Sequence, residues 1–329
     1  MKQPPSTTWV VAGPADARAR LAPLISAHRS YRAVREVDSS AFCQSDPASH
    51  LTSHLDDAAG VLIVGDPLQS PRSALPGVFL RDQNGRRVAA GWLPNIAERL
   101  ETFAHAAAEV QRRRTREADR GPFILLGESE ARALDLAARL KESLIDQVPL
   151  FQWTAERIRR SDLIAALQGG AGAAFYVGRG TPVGWFAYGG FDPSDFNLAC
   201  GRPLGAVLSL TCSVACRSQT GSKAALSFCE EMVLSGFCAA ALGATGLTLH
   251  RRNVALGLAA AHALRDNSTT LADVLLTPGI PLVALNRYRI LGDPLAPLIG
   301  DPHSSRKALQ VFAPAPDEVL PVVPMSSWS

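Results

Sequence analysis

No stretch of the 329 residues approaches the ~18 uninterrupted apolar residues a membrane helix needs. The opening segment MKQPPSTTWVVAG lacks a basic region followed by a long apolar run and a small-residue cleavage site. It reads without a secretory signal, and a cytoplasmic protein is expected. A net charge of +3 is too small to argue for nucleic acid or an anionic membrane surface, so neither is expected as a partner. The dense basic run, QRRRTRE at 111–117, ends a predicted helix, where cations are favourable, and reads as a solvated helix end. Neither G-x-x-x-x-G-K-[ST] nor a strand-linked G-x-G-x-x-G occurs. The six cysteines (Cys43, Cys200, Cys212, Cys216, Cys229, Cys238) lie mostly among apolar residues and fit reduced thiols. Cys212 and Cys216 form C-x3-C with no second pair to complete a zinc site, so no metal and no cofactor is expected. There is no internal repeat.

A hydrophobic content of 47% against 19% charged residues describes a chain able to bury a sizeable core. Apolar runs of strand length recur at 8–13, 60–65, 87–93, 122–127, 172–178, 206–212 and 238–246. Most are continuously apolar rather than alternating, as strands covered on both faces must be. Helical patterns fit between them at about 14–28, 94–113, 129–145, 161–168, 222–236 and 251–265. In 129–145, Ala133, Leu136, Ala137, Leu140 and Leu144 share one face. The alternation predicts an α/β fold with a mostly parallel sheet flanked by helices. The charged segment 112–122 is the expected boundary between a smaller N-terminal α/β unit (1–118) and a C-terminal unit (119–300). A proline- and serine-rich tail follows (301–329).

Ligands of open parallel sheets bind at the carboxyl ends of strands. Three such ends carry chemistry here: Gly178-Arg179-Gly180, Thr211-Cys212-Ser213, and Gly243-Ala244-Thr245-Gly246 leading to His250. Paired glycines put the residue between them on display. A thiol at a strand end can be activated by a neighbouring imidazole. Cysteine is also among the most buried residue types, and an ordinary buried thiol at a strand end is the reading that chemistry alone favours for Cys212.

The order of GAAFYVGRGTPVGW, VLSLTCS, SFCEEMVLSGFCAAALGATG and YRILGDPLAPL resembles the gingipain-like family of the caspase-like cysteine peptidase clan over about residues 60–300. The resemblance rests on Tyr176-Val177-Gly178, Gly180, Trp185, Cys212, Phe228-Cys229-Glu230, Gly243 to Gly246 and Gly292-Asp293-Pro294. It implies a caspase-like three-layer sandwich with Cys212 as nucleophile. Gly178, Gly180, Trp185, Glu230 and Thr245 would lie about the cleft. Two departures stand out. Trp92 occupies the place of an arginine, and Arg179 stands where the family has its catalytic histidine. Histidine cycles a proton near neutrality, whereas arginine stays charged.

A catalytically degenerate peptidase kept for binding a protein or peptide is therefore expected. One alternative is an active cysteine endopeptidase in which His250 serves Cys212 as base. Another is a nucleotide- or phosphate-binding α/β protein, favoured by the placing of GRG and GATG at strand ends. His28, His50, His54, His105, His262 and His303 have no motif context, and His262 reads as a helix-face residue.

Overall fold

A computed structural model describes residues 8–38, 50–113, 122–144, 150–167, 170–199, 202–218, 225–266 and 268–298. The apolar runs form strands, most of them buried on both faces. In chain order these are β1 (Thr8–Gly13), β2 (Ala33–Asp38), β3 (Ala58–Gly65), β4 (Phe79–Arg81), β5 (Arg87–Pro94), β6 (Phe123–Gly127) and β7 (Leu150–Thr154). They continue with β8 (Ala173–Val177), β9 (Gly180–Thr181), β10 (Gly184–Trp185), β11 (Leu204–Leu210), β12 (Cys238–Ala244) and β13 (Tyr288–Gly292). One sheet runs β2-β1-β3-β5-β13-β12-β11-β8-β6-β7, with β4 antiparallel on β5. The only other described pairing of strands is the small hairpin β9-β10. The fold is thus the expected α/β sandwich.

Two parallel halves meet at β13, which is parallel to β5 and antiparallel to β12. In the second half, β7, β6, β8, β11 and β12 all run the same way. Their carboxyl ends therefore form one edge. Gly178–Gly180, Thr211–Ser213 and Thr245–His250 all lie along it.

Several element boundaries differ from expectation, each for a local reason. The helix expected at 14–28 is two helices, Ala15–Arg20 and Ala22–Arg29. Pro23 lies in the first turn of the second, where its missing N–H costs nothing, and it cannot continue the first. The helix expected at 222–236 is Phe228–Leu234, started by a capping box in which Ser227 and Glu230 each satisfy the other's backbone N–H. β11 ends at Leu210, so Cys212 lies beyond the strand. The basic segment is only partly a solvated helix end. Its helix closes at Arg112, but Gln111 and Arg113 are buried. The Arg113 guanidinium donates to the Pro203 and Gly170 carbonyls at 2.7 and 3.4 Å. Residues 114–117 lie outside the described residues, as do most of the 112–122 boundary, the tail from 299 on, Cys43, Cys200 and His303.

A buried polar knot ties the helix Ala22–Arg29 and the helix Ala97–Arg112 to the segment that follows β13. The Asp293 carboxylate, wholly buried, meets His28 Nε2 at 2.9 Å and accepts from Gln111 Nε2 at 2.7 Å and the Leu295 N–H at 3.0 Å. The His28 ring stacks on Trp9 with centroids 3.9 Å apart. Burial alone would raise the Asp293 pKa; the charge and hydrogen bond of His28, with Gln111, hold it below the usual carboxylate range. Among the described residues, no helix is long and apolar enough to cross a membrane.

Candidate functional site

Arg179 follows β8 in the loop between Gly178 and Gly180, and the surroundings explain both glycines. A side chain at Gly178, where φ is +154°, would place its Cβ 2.9 Å from Glu128 Cγ. A Cβ at Gly180 would fall 2.7 Å from Val214 Cγ1 and 2.8 Å from Thr211 Cγ2. The Arg179 loop therefore presses directly against the Cys212 loop, as close approach without side chains allows. It is pinned from the other side by Tyr176, whose hydroxyl donates to the Arg179 carbonyl at 2.8 Å. Burial, then the nearby Glu128 carboxylate, pushes the Tyr176 pKa up, so this phenol stays a donor.

The partner of Arg179 is Glu128, the first residue past β6. The carboxylate accepts from the Arg179 backbone N–H at 2.8 Å and from Nε at 3.0 and 3.2 Å, with Nη2 at 3.0 Å. Glu128 is 7% exposed while the arginine side chain is 70% exposed, so the acid is fixed and the cation covers it. The Glu128 hydrogen bond and charge hold the Arg179 guanidinium still more firmly protonated. The guanidinium carbon also lies 5.2 Å from the centroid of the exposed Phe186 ring. This pair walls a cleft of about 820 Å³ at the ends of β6, β7 and β8, with Arg157, Arg159, Glu130 and Tyr188 also lining it. Tyr188 has φ +63°, a left-handed conformation that is strained for a bulky residue. Its buried hydroxyl anchors it, donating to the Trp153 carbonyl at 2.6 Å and accepting from the Gly127 N–H at 2.9 Å.

Cys212 is half-buried and lies in the adjacent loop. Ser213, immediately after it, is the other non-glycine residue with positive φ among the described residues, at +58°. Its N–H donates to the Gly246 carbonyl at 3.1 Å, fastening the loop to the end of β12. The hydrogen bonds of the thiol all run to Thr248: the Thr248 N–H at 3.3 Å, its hydroxyl at 3.4 Å and its carbonyl at 3.7 Å. Sequence reasoning missed Thr248, because the contact spans 36 residues. It also missed Glu128, although an acid directly after an apolar strand was visible in LLGESE.

The remaining expected site residues are placed as follows. His250 is the exposed first residue of the His250–Arg265 helix, and the structure does not join it to the thiol. Glu230 is fully buried and does not face a cleft. Arg217 Nη2 and Nε grip it at 2.6 to 3.1 Å, and the Ser227 hydroxyl and N–H each donate to it at 2.8 Å. Trp185 is buried too, stacked on Tyr176 with centroids 4.2 Å apart and meeting Phe228 edge-on at 5.2 Å. Thr245 is buried, donating from Oγ1 to the Arg287 carbonyl at 3.1 Å. Trp92 is buried in the core. Cys216 is a free, half-buried thiol, and no metal-binding cluster of His, Cys, Asp or Glu occurs among the described residues.

The fold is that of gingipain-type cysteine proteinases. The chain superposes on the Arg-specific cysteine proteinase gingipain R with a TM-score of 0.67 at 13% identity, covering 92% of this chain and 80% of that one. It matches a structure described only as a protease with a TM-score of 0.68 at 10% identity, covering 90% of this chain and 79% of the other. Against the complex of pro- and mature domains of Porphyromonas gingivalis RgpB the TM-score is 0.63 at 11% identity, over 89% of this chain and 79% of that one. No family model matches the sequence, and neither does any curated protein. The caspase-like architecture expected from the collinear motifs is therefore the observed one.

Proposed function

We propose that this chain is a catalytically degenerate relative of the gingipain-type peptidases that binds a protein or peptide without cutting it. The observation that supports this reading is the state of residue 179. A thiol peptidase needs a group that takes a proton from sulfur and returns it to the leaving amine. An arginine stays charged across the physiological range, and this one is bound to Glu128 through its backbone and side chain.

The cleft beside Arg179 is the place for a partner's segment. Its volume of about 820 Å³ falls within the range of ligand sites, and it carries both charges together with the exposed Phe186 ring. The deciding experiment incubates the purified protein and its Cys212→Ala variant with a complex peptide mixture and reads new termini by mass spectrometry. No cleavage that depends on Cys212 is expected. Reproducible Cys212-dependent cleavage would overturn the degenerate reading in favour of an active cysteine endopeptidase.

A further inference from the structure

The hydrogen bonds behind Cys212 can be assigned a direction one atom at a time. Tyr288, fully buried at the start of β13, donates its hydroxyl to Asn253 Oδ1 at 2.9 Å. Asn253, in the helix His250–Arg265, donates from Nδ2 to the Leu210 carbonyl at 3.1 Å and to Thr248 Oγ1 at 3.1 Å. The Leu210 carbonyl can only accept, which fixes the orientation of the amide, and both amide hydrogens are then used. Thr248 Oγ1 accepts from Asn253, so its own proton is shared between the Cys212 sulfur, 3.4 Å away, and the Tyr288 hydroxyl, with which it also bonds. The Thr248 backbone N–H, 3.3 Å from the same sulfur, supplies a second donor. The sulfur's own hydrogen has the Thr248 carbonyl, 3.7 Å away, as its acceptor.

We infer that Tyr288, Asn253 and Thr248 form a positioning relay that delivers two hydrogen-bond donors to the Cys212 sulfur, keeping it nucleophilic although no base accompanies it. Donors on sulfur stabilise the anionic form that attacks an electrophile, and hydrogen bonds to charged groups are the strong ones. The relay is buried at its far end and reaches the half-buried thiol through Thr248 alone, so it acts through Thr248 rather than touching a reactant. The inference rests on placing Cys212 at the nucleophile position, and it requires no turnover. In the degenerate reading the base is lost and the sulfur's setting is kept.

The test is alkylation of the native, full-length protein by iodoacetamide, with the rate at each cysteine read by peptide mass spectrometry. Sulfur attacks the methylene carbon, the C–S bond forms, the C–I bond breaks, iodide leaves and the thiol proton passes to water. Cys216, a half-buried thiol in the same loop, is the internal comparator. Thr248→Val keeps the shape and removes the hydroxyl. It should lower the Cys212 rate relative to Cys216 by about three- to tenfold, an attenuated response because thiolate nucleophilicity falls as its stability rises. Thr248→Ser should restore the wild-type ratio. Simple loosening of the loop would do the opposite, speeding both cysteines by exposure. An unchanged or increased ratio in Thr248→Val, or a Thr248→Ser that behaves like Thr248→Val, would overturn the relay. Because the assay involves no peptide cleavage, failure here leaves the degenerate reading standing. Cys212-dependent cleavage would overturn that reading and leave the relay untouched.

Discussion

Replacing Asp293 by asparagine changes little volume but reverses the hydrogen-bond logic of the buried knot. The carboxylate accepts from three donors on three separated parts of the chain: His28, Gln111 and Leu295. An asparagine amide would bring a donor to face donors, and His28 would lose its counter-charge in a place with no water access. Breaking a buried pair by removing one partner costs about 3–5 kcal/mol. At roughly 2–4 °C per kcal/mol for a chain of this class, Tm should fall by roughly 6–20 °C at pH 7. The sign with pH follows from the lowered carboxylate pKa of the folded state. Stabilisation is then present above the unfolded aspartate value of about 3.9 and is lost as pH falls through the lower folded value. Thermal melts of wild type and variant, followed by circular dichroism from pH 7 to pH 3, should differ most at neutral pH and converge in acid. A Tm difference below about 1 °C at pH 7, or one that grows in acid, would refute the argument that this carboxylate is a paired, structural charge.

Two further outcomes are expected. Glu230→Gln should lower Tm by a similar amount, since it removes the counter-charge of the buried Arg217 and weakens the Ser227 capping box; a variant with unchanged melting would mean that Glu230 is not the structural acid described here. Arg179→His should gain Cys212-dependent peptide cleavage that wild type lacks, read in the same peptide mixture by new termini.

The strands legible in the sequence were those buried on both faces, such as β1, β3, β6, β8 and β12, because continuous apolarity is their mark. β2, with the sequence AVREVD, was not, because it is an edge strand with most positions at least partly exposed. β13 contains Arg289, whose guanidinium is buried against the carbonyls of Leu75, Asn286 and Tyr288, and burial lowers its pKa to about 10. An arginine satisfied by backbone carbonyls, one of them 214 residues away, looks in sequence like a break in a strand. At the site, the glycines around Arg179 were readable because they answer a local steric demand. The Glu128 pairing and the Thr248 contact were not, since each joins strand ends through the order of the sheet rather than through spacing along the chain. Glu230 was legible only as a motif residue expected about the cleft; its ion pair is with Arg217, 13 residues earlier, and its capping partner is Ser227.

Arg179→His is informative because Glu128 would remain in place to receive it. The carboxylate accepts from the backbone N–H of residue 179, a bond that does not depend on the side chain. It also faces the first atoms of that side chain, at 3.0 and 3.2 Å from Nε. In nucleophile–base–acid catalysis the buried carboxylate orients the imidazole and stabilises the imidazolium that forms. Glu128 has the burial and the position for that role, and an arginine now occupies its hydrogen bonds. A histidine at 179 would therefore meet an orienting acid, next to a loop that carries Cys212 in close contact with Gly180. It follows that Arg179→His with Glu128→Gln should cleave less than Arg179→His alone, although the double variant carries no unpaired buried charge and should fold at least as well. If the double variant cleaves as well as the single one, Glu128 is only a counter-charge for Arg179. If it loses the gained activity while keeping its melting temperature, the acid of the set is still in place and residue 179 is where catalysis was lost.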